Sequence, residues 1–296
     1  GQFPLKEGTQ TLATLLKEAG YATGAFGKWG LGYPGSEGEP LNQGFDVFFG
    51  FNSQTIAHNY YPRELWDNDK TVKLEGNQGT EQGQYAPNLI QEKRLAFIEK
   101  NKDTPFFMFV PTIVPHAELF APEEYMEKFL TKTNPEPPYQ YESKLGPETY
   151  YDGLDDPEHP RYKAGGYGSQ AYPHAAFAAM VTLLDDHVGQ IVSKLEELNL
   201  VENTIVIFTS DNGPHLEGGA DPDFFNSNGP FQGYKRDLHE GGIHVPMIVS
   251  WPIKVKKGSE TDHVSAFWDI GWNLIPSHPF RYRRPTYSFP PLLGVS

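Results

Sequence analysis

The run AAMVTLLDDHVGQIVSKLEELNLVENTIVIFTSDNG (178–213) reads as a long helix, a short turn and a buried strand that ends on Asp211, Asn212 and Gly213. Ala178, Val181, Leu184, Val188, Ile191 and Leu195 recur at the three- and four-residue spacing that lines up one helix face, so a helix is expected over about 174–198. The strand, 204–209, is apolar without alternation, as in a sheet covered on both sides. A helix feeding such a strand is the repeating unit of a layered α/β protein.

Outward from this run the same alternation recurs. Thr9 is placed to cap a helix carrying Leu12, Leu15, Leu16 and Ala19, and Gly20 stands where a left-handed residue ends it. YATGAF (21–26) follows as a short buried strand and opens into the glycine-rich loop GKWGLGYPG (27–35). Residues 40–84 look irregular around the apolar island FDVFFGF. A second helix is expected near 87–99, with Leu89, Ile90, Lys93 and Phe97 in register, then a covered strand over 105–110 and a short helix near 123–130. VPMIVSW (245–251) is a further apolar strand. The fold class is therefore α/β, a layered and mostly parallel sheet with helices on both faces. Residues 131–170 form a long Pro-, Gly- and Tyr-rich loop or insertion, whose tyrosines could stack on sugar rings or simply pack.

Composition narrows the function. The 296 residues carry 24 Lys+Arg against 38 Asp+Glu, a net charge of −14, and no Cys. That acidity argues against general nucleic-acid binding, and the missing Cys removes thiolate metal sites and cysteine nucleophiles from this sequence. No apolar run is read as a membrane span, and GQFPLKEGTQ is not a signal peptide. The acidity is uneven. Residues 271–296 hold Arg281, Arg283 and Arg284, five prolines and no acid, which leaves residues 1–270 with 21 basic and 38 acidic residues, or −17.

Three strand ends deliver chemistry. Lys28 follows the first strand, His116 follows 105–110, and Asp211-Asn212 ends 204–209. In open α/β sheets the ligand crevice lies beyond the carboxyl ends of the strands. Asp211 and Asn212 offer a carboxylate and an amide oxygen, hard donors suited to calcium or magnesium, although Asp-Asn-Gly alone is more often just a turn. His116 could protonate a leaving group or contact an anion, and alone it also reads as a structural histidine. Lys28 and Lys235 both lie in glycine-rich loops, where single lysines are ordinarily solvated. Together these residues describe a site for a phosphate or sulfate ester, whose equatorial oxygens need positive charge.

Four blocks, in order, resemble the formylglycine-dependent sulfatases, the arylsulfatase-like branch of the alkaline-phosphatase superfamily. They are TLATLLKEAGYATGAFGKWGLG (11–32), PFFMFVPTIVPHAELFAPEEY (105–125), the helix–strand run 178–213, and GYKRDLHEGGIHVPMIVSWP (233–252). The resemblance covers about residues 9–270. It implies that Asp211 and Asn212 are two of four calcium ligands, and that Lys28 and Lys235 hold sulfate oxygens. It implies that His116 hydrogen-bonds the ester oxygen and helps protonate the departing alcohol. The family's nucleophile is a hydrated formylglycine made from a C/S-x-P-S/A-R motif.

Departures from the family are equally specific. Its paired metal-binding Asp residues and nucleophile motif stand before the GKW loop, and this sequence begins after that point. Ser277-His278-Pro279-Phe280-Arg281 only superficially spells the motif and lies at the wrong end. Gly30 stands where many members carry His, and His58 in QTIAHNYYP could supply that imidazole or be a surface residue. Gln232 and His244 replace common arginines. The expectation is an internal piece of a sulfatase catalytic domain over 1–270, followed by an atypical tail over 271–296 that reads as out of frame or otherwise foreign. The parent would hydrolyse aryl or carbohydrate sulfates outside the cytoplasm, in the periplasm or beyond the cell, while this chain alone would not turn over. A superfamily phosphoesterase and a non-catalytic sulfated-glycan binder are the two alternatives.

Overall fold

A computed structural model describes residues 3–54, 56–78, 81–130 and 172–274, the last four by backbone only. The expectations for residues 131–170 lie outside the described residues, as do those for most of the 271–296 tail. The chain divides into two compact units, residues 1–198 with 210–245, and residues 199–209 with 246–296.

The larger unit is built on a five-stranded sheet. Its strands are β1 (Ala22–Lys28), β2 (Val47–Phe51), β3 (Glu64–Asp67), β4 (Lys70–Lys73) and β5 (Phe106–Phe109), in the order β4-β3-β2-β1-β5. Central β1 runs parallel to both β2 and β5, whereas β3 and β4 complete the other edge as an antiparallel hairpin. These three strands, β2 to β4, correct the irregular reading of residues 40–84. The hairpin signal was local: Asn68 takes φ 58° in the Asn68-Asp69 turn, the left-handed conformation such two-residue loops require. β1 also runs on to Lys28, so the lysine ends a strand rather than entering a loop.

Side chains alternate across this sheet. Ala25 and Phe48 are register partners and pack with Ala13, Trp29 and Phe45 on one face. Phe26 and Phe49, one residue further on, pack on the other face with Ile90, Phe97, Met180 and Leu183. The period of two thus sends consecutive residues to opposite cores, and helices cover both. Helix α1 (Leu12–Glu18) lies with the smaller cluster. Its N-cap is Thr11, not Thr9: Thr11 and Thr14 form a reciprocal capping box, while the Thr9 hydroxyl donates to the Lys6 carbonyl instead.

Helices α2 (Ala86–Lys100) and α4 (Pro173–Glu197) cover the larger cluster, with α3 (Glu123–Met126) packed on α4. By length and composition α4 is apolar enough to cross a membrane, but it serves here as a core helix. Its buried residues include Ala176, Ala179, Met180, Leu183 and His187, a face displaced from the expected one, of which Leu195 alone is buried while Val181 is 43% exposed. A helix apolar on several sides leaves its inward face to be chosen by its neighbours. Here polar contacts fix it: His187 Nε2 lies 3.2 Å from Asn88 Oδ1, and Gln91 Nε2 donates to the His187 carbonyl at 2.9 Å. Buried Arg94 completes the layer, with Nη1 on Gln91 Oε1 and Nη2 on the Phe26 carbonyl. Two short helices, α5 (Pro222–Phe225) and α6 (Glu240–Ile243), belong to the same unit.

In the smaller unit, β6 (Val206–Thr209) and β7 (Met247–Ser250) pair antiparallel with one another. Helix α7 (Phe267–Leu274) follows.

Candidate anion site

Because β1, β2 and β5 are parallel, their carboxyl ends share one edge of the sheet. Each end supplies a basic side chain to the larger unit. Lys28 is the last residue of β1, and its N–H donates to the Pro111 carbonyl at 2.7 Å. His58 closes a single 3₁₀ turn, Ile56–His58, after β2. His116 follows β5, and its carbonyl accepts a 2.6 Å bond from the fully buried Tyr60 hydroxyl, which also reaches the Ile113 carbonyl at 2.9 Å. Lys235 enters from the 233–242 loop, where its N–H donates to the Pro214 carbonyl at 2.8 Å.

The ring orientation of His116 follows from its partners. Nδ1 faces the Ala117 carbonyl at 2.7 Å, an oxygen that can only accept, so Nδ1 carries the hydrogen. Nε2 then presents a lone pair, and the Lys235 ammonium donates to it at 2.7 Å. His116 sits in the middle of a ladder of imidazoles. His58 lies 4.9 Å from it on one side and His215 4.9 Å on the other, at interplanar angles of 25° and 22°.

Electrostatics keep two of these rings neutral. Burial, and then the charge of Lys235, push His116 down to about 3. Burial, Lys28 and Lys235 push His58 down to about 4. Burial also lowers the pKa of Lys235, against the pull of Glu217 and Asp211. Glu217 is the counterweight. Burial alone would raise its carboxyl, but His215, Lys235 and Arg236 hold it far below the usual carboxylate range.

The Asp211-Asn212-Gly213 turn is pinned to the same loop system. Gly213 N–H donates to the Gly242 carbonyl at 2.9 Å, and a Cβ on Gly213 would stand 1.8 Å from the Gly241 carbonyl oxygen. Asp211 is exposed and close enough to act electrostatically on Lys235. Its carboxylate and the Asn212 amide oxygen are hard donors of the kind calcium prefers. Among the described residues no group of three or more His, Cys, Asp or Glu is gathered for a metal, so these two donors make only part of a coordination shell.

The structure therefore brings together Lys28, His58, His116, Lys235 and Asp211, with Asn212 beside Asp211. The sequence reading missed His215, Glu217, Arg236 and Tyr60. His215 and Glu217 stand four and six residues after Asp211 in DNGPHLE, and that proximity was the available signal. A cavity of about 480 Å³ lined by Asp185, Asp186, Gln190 and Lys194 runs along α4 and shares no residue with this site.

Residues 3–270 match the family model described as Sulfatase. The chain is 29% identical over 294 residues to an arylsulfatase of Hemicentrotus pulcherrimus, covering 90% of this chain and 43% of that one. It is 30% identical over 286 residues to an N-acetylgalactosamine-6-O-sulfatase of Bacteroides thetaiotaomicron, covering 84% and 53%. The crystal structure of Ps i-CgsB in complex with k-i-k-neocarrahexaose superposes with a TM-score of 0.65 at 26% identity, over 93% of this chain and 56% of that one. The chain thus spans about half the length of the relatives it matches.

Proposed function

This chain belongs to the sulfatase family, and from that premise we propose that its site grips the sulfate group of a sulfated sugar and takes part in hydrolysing the ester. The observation that carries the reading is the 2.7 Å contact between Lys235 Nζ and His116 Nε2, with Lys28 and His58 alongside. Lys28 and Lys235 supply fixed positive charge for the non-bridging sulfate oxygens, where negative charge concentrates as the sulfur–oxygen bond breaks. The departing sugar oxygen needs a proton. His116 has none on Nε2, so the Lys235 ammonium, which has two N–H bonds besides the one it gives to His116, donates the proton of one of them directly to that oxygen and is left as a neutral amine still hydrogen-bonded to the ring. His58, neutral at pH 7, hydrogen-bonds an oxygen without adding charge.

Asp211 and Asn212 would hold calcium together with ligands from beyond these residues, and the ion would neutralise further charge on the sulfate oxygens. The attack on sulfur would fall to a formylglycine hydrate of the kind the family resemblance implies. No C/S-x-P-S/A-R motif other than the Ser277 look-alike occurs in residues 1–296, so this chain on its own binds without turnover. The family match ends at residue 270, which supports reading 271–296 as a segment foreign to the catalytic domain. A sulfated carbohydrate is favoured over an aryl sulfate because one of the similar proteins is named an N-acetylgalactosamine-6-O-sulfatase and another was solved with k-i-k-neocarrahexaose. An exported protein, periplasmic or extracellular, is part of the same reading.

Titration with inorganic sulfate, followed by NMR with and without calcium, tests the proposal. Binding that Lys28→Ala and Lys235→Ala each weaken about tenfold or more is expected, since each removes a charged partner of the anion. Zinc-dependent hydrolysis of a phosphate ester, with no response to sulfate, would replace it by a phosphoesterase.

A further inference from the structure

Besides Asp211 a second carboxylate, Glu217, stands inside this cationic site, and nothing in sulfate binding calls for it. The Glu217 side chain is only 11% exposed. It pairs with the Arg236 guanidinium through Nη1, lies 3.2 Å from His215 Nδ1, and comes within 3.9 Å of Lys235 Nζ. His215 in turn stacks on His116 and places Nε2 3.3 Å from the Pro115 carbonyl, one residue before His116. Glu217 therefore touches or backs both members of the Lys235–His116 pair.

Its backbone is as firmly placed as its side chain. The turn Glu217–Gly219 includes Gly218 at φ 67°, where a Cβ would meet Ala117 Cβ at 2.8 Å. That ties the turn to the segment carrying His116. Arg236, 71% exposed, adopts φ 80°, a left-handed conformation that is uncommon for a residue with a side chain, and its guanidinium pairs with Glu217. The carboxylate is anionic in the folded protein, since the hydrogen bond from His215 and the charges of Lys235 and Arg236 outweigh the cost of burial.

Resting on the sulfate-ester reading above, we propose that Glu217 is a positioning residue with two effects. It anchors Lys235 against His116 Nε2, and its negative charge weakens the site's hold on free sulfate so that product can leave. The second effect follows from Coulomb's law. An anion gripped by Lys235 lies within one side-chain length of the carboxylate, in a partly dry site where such repulsion is poorly screened. A residue that merely braced the fold would lose both geometry and affinity when altered. Glu217 instead predicts opposite signs.

The test uses the whole chain and inorganic sulfate as probe, with wild type, Glu217→Gln and Glu217→Asp compared at fixed ionic strength. Glu217→Gln is expected to bind sulfate about three- to tenfold more tightly, because a like charge has been removed. The ¹⁵N shift of His116 Nε2 is expected to move, as Lys235 loses its anchor. Glu217→Asp keeps the charge but shortens the reach, so it should bind sulfate no more tightly than wild type while its His116 Nε2 signal still shifts. Equal or weaker sulfate binding by a folded Glu217→Gln would overturn the proposal. If that variant does not fold, an unchanged His116 signal in Glu217→Asp does the same. Absence of sulfate binding by the wild type is a separate result, which removes the sulfate-ester reading itself.

Discussion

Lys235 and His116 are 119 residues apart in sequence, yet the lysine ammonium donates to the histidine Nε2 at 2.7 Å while the opposite ring nitrogen is held by the Ala117 carbonyl. The ring cannot turn to another partner without breaking the second bond. The two side chains therefore act as one unit, and their substitutions should not add. Sulfate affinity of Lys235→Ala, His116→Ala and the double variant forms a cycle with a coupling of about 0.5–3 kcal/mol, the range for residues in direct contact. Additive losses would show that the pair acts as two independent charges.

Tyr60 sets where His116 sits. Its hydroxyl is fully buried and is shared between the carbonyls of Ile113 and His116. Tyr60→Phe takes the hydroxyl donor from the His116 carbonyl, while the Ile113 carbonyl keeps the His116 N–H at 2.8 Å, at a cost of about 1–3 kcal/mol in a urea melt. Sulfate binding should weaken in the same variant, because the His116 backbone loses its tether. A wild-type melt would mean that water replaces the hydroxyl.

Gly213 tests the turn proposed to hold calcium. An added methyl would lie 1.8 Å from the Gly241 carbonyl oxygen, which is backbone and cannot swing away. Gly213→Ala should destabilise the protein by about 1–3 kcal/mol or more and lower calcium affinity, since Asp211 and Asn212 move with the turn. The measurements are thermal unfolding and calcium titration.

His187 makes stability fall in acid. Burial, and then the charge of Arg94, lower its pKa from the ordinary 6.5 to about 4. Between those values the unfolded chain binds the proton and the folded chain does not. The histidine's contribution is thus complete above pH 6.5 and is lost as pH falls toward 4, by roughly 3 kcal/mol in all. Denaturant melts at stepped pH should show that slope, and His187→Gln should flatten it by about one proton. An unchanged slope would assign the acid sensitivity to other groups, with His58 and His116 next in line.

The alternation of apolar strands and helices was legible from residue types and spacing alone, because side-chain period reflects local backbone geometry. So were Lys28, His116, Lys235 and Asp211, since each is a chemistry-bearing side chain beside a strand end or in a glycine-rich loop. Three matters were left to the tertiary structure. The inward face of α4 depended on which side met Asn88 and Gln91, a choice that a helix apolar on several sides does not encode. The place of the β3–β4 hairpin at the sheet edge depended on hydrogen bonding to β2, although its turn signal at Asn68 was local. Glu217 became the counterweight of the anion site only once folding placed it beside Lys235 and Arg236, 18 and 19 positions further along. Charge acts through distance in space, and separation along the chain does not fix that distance.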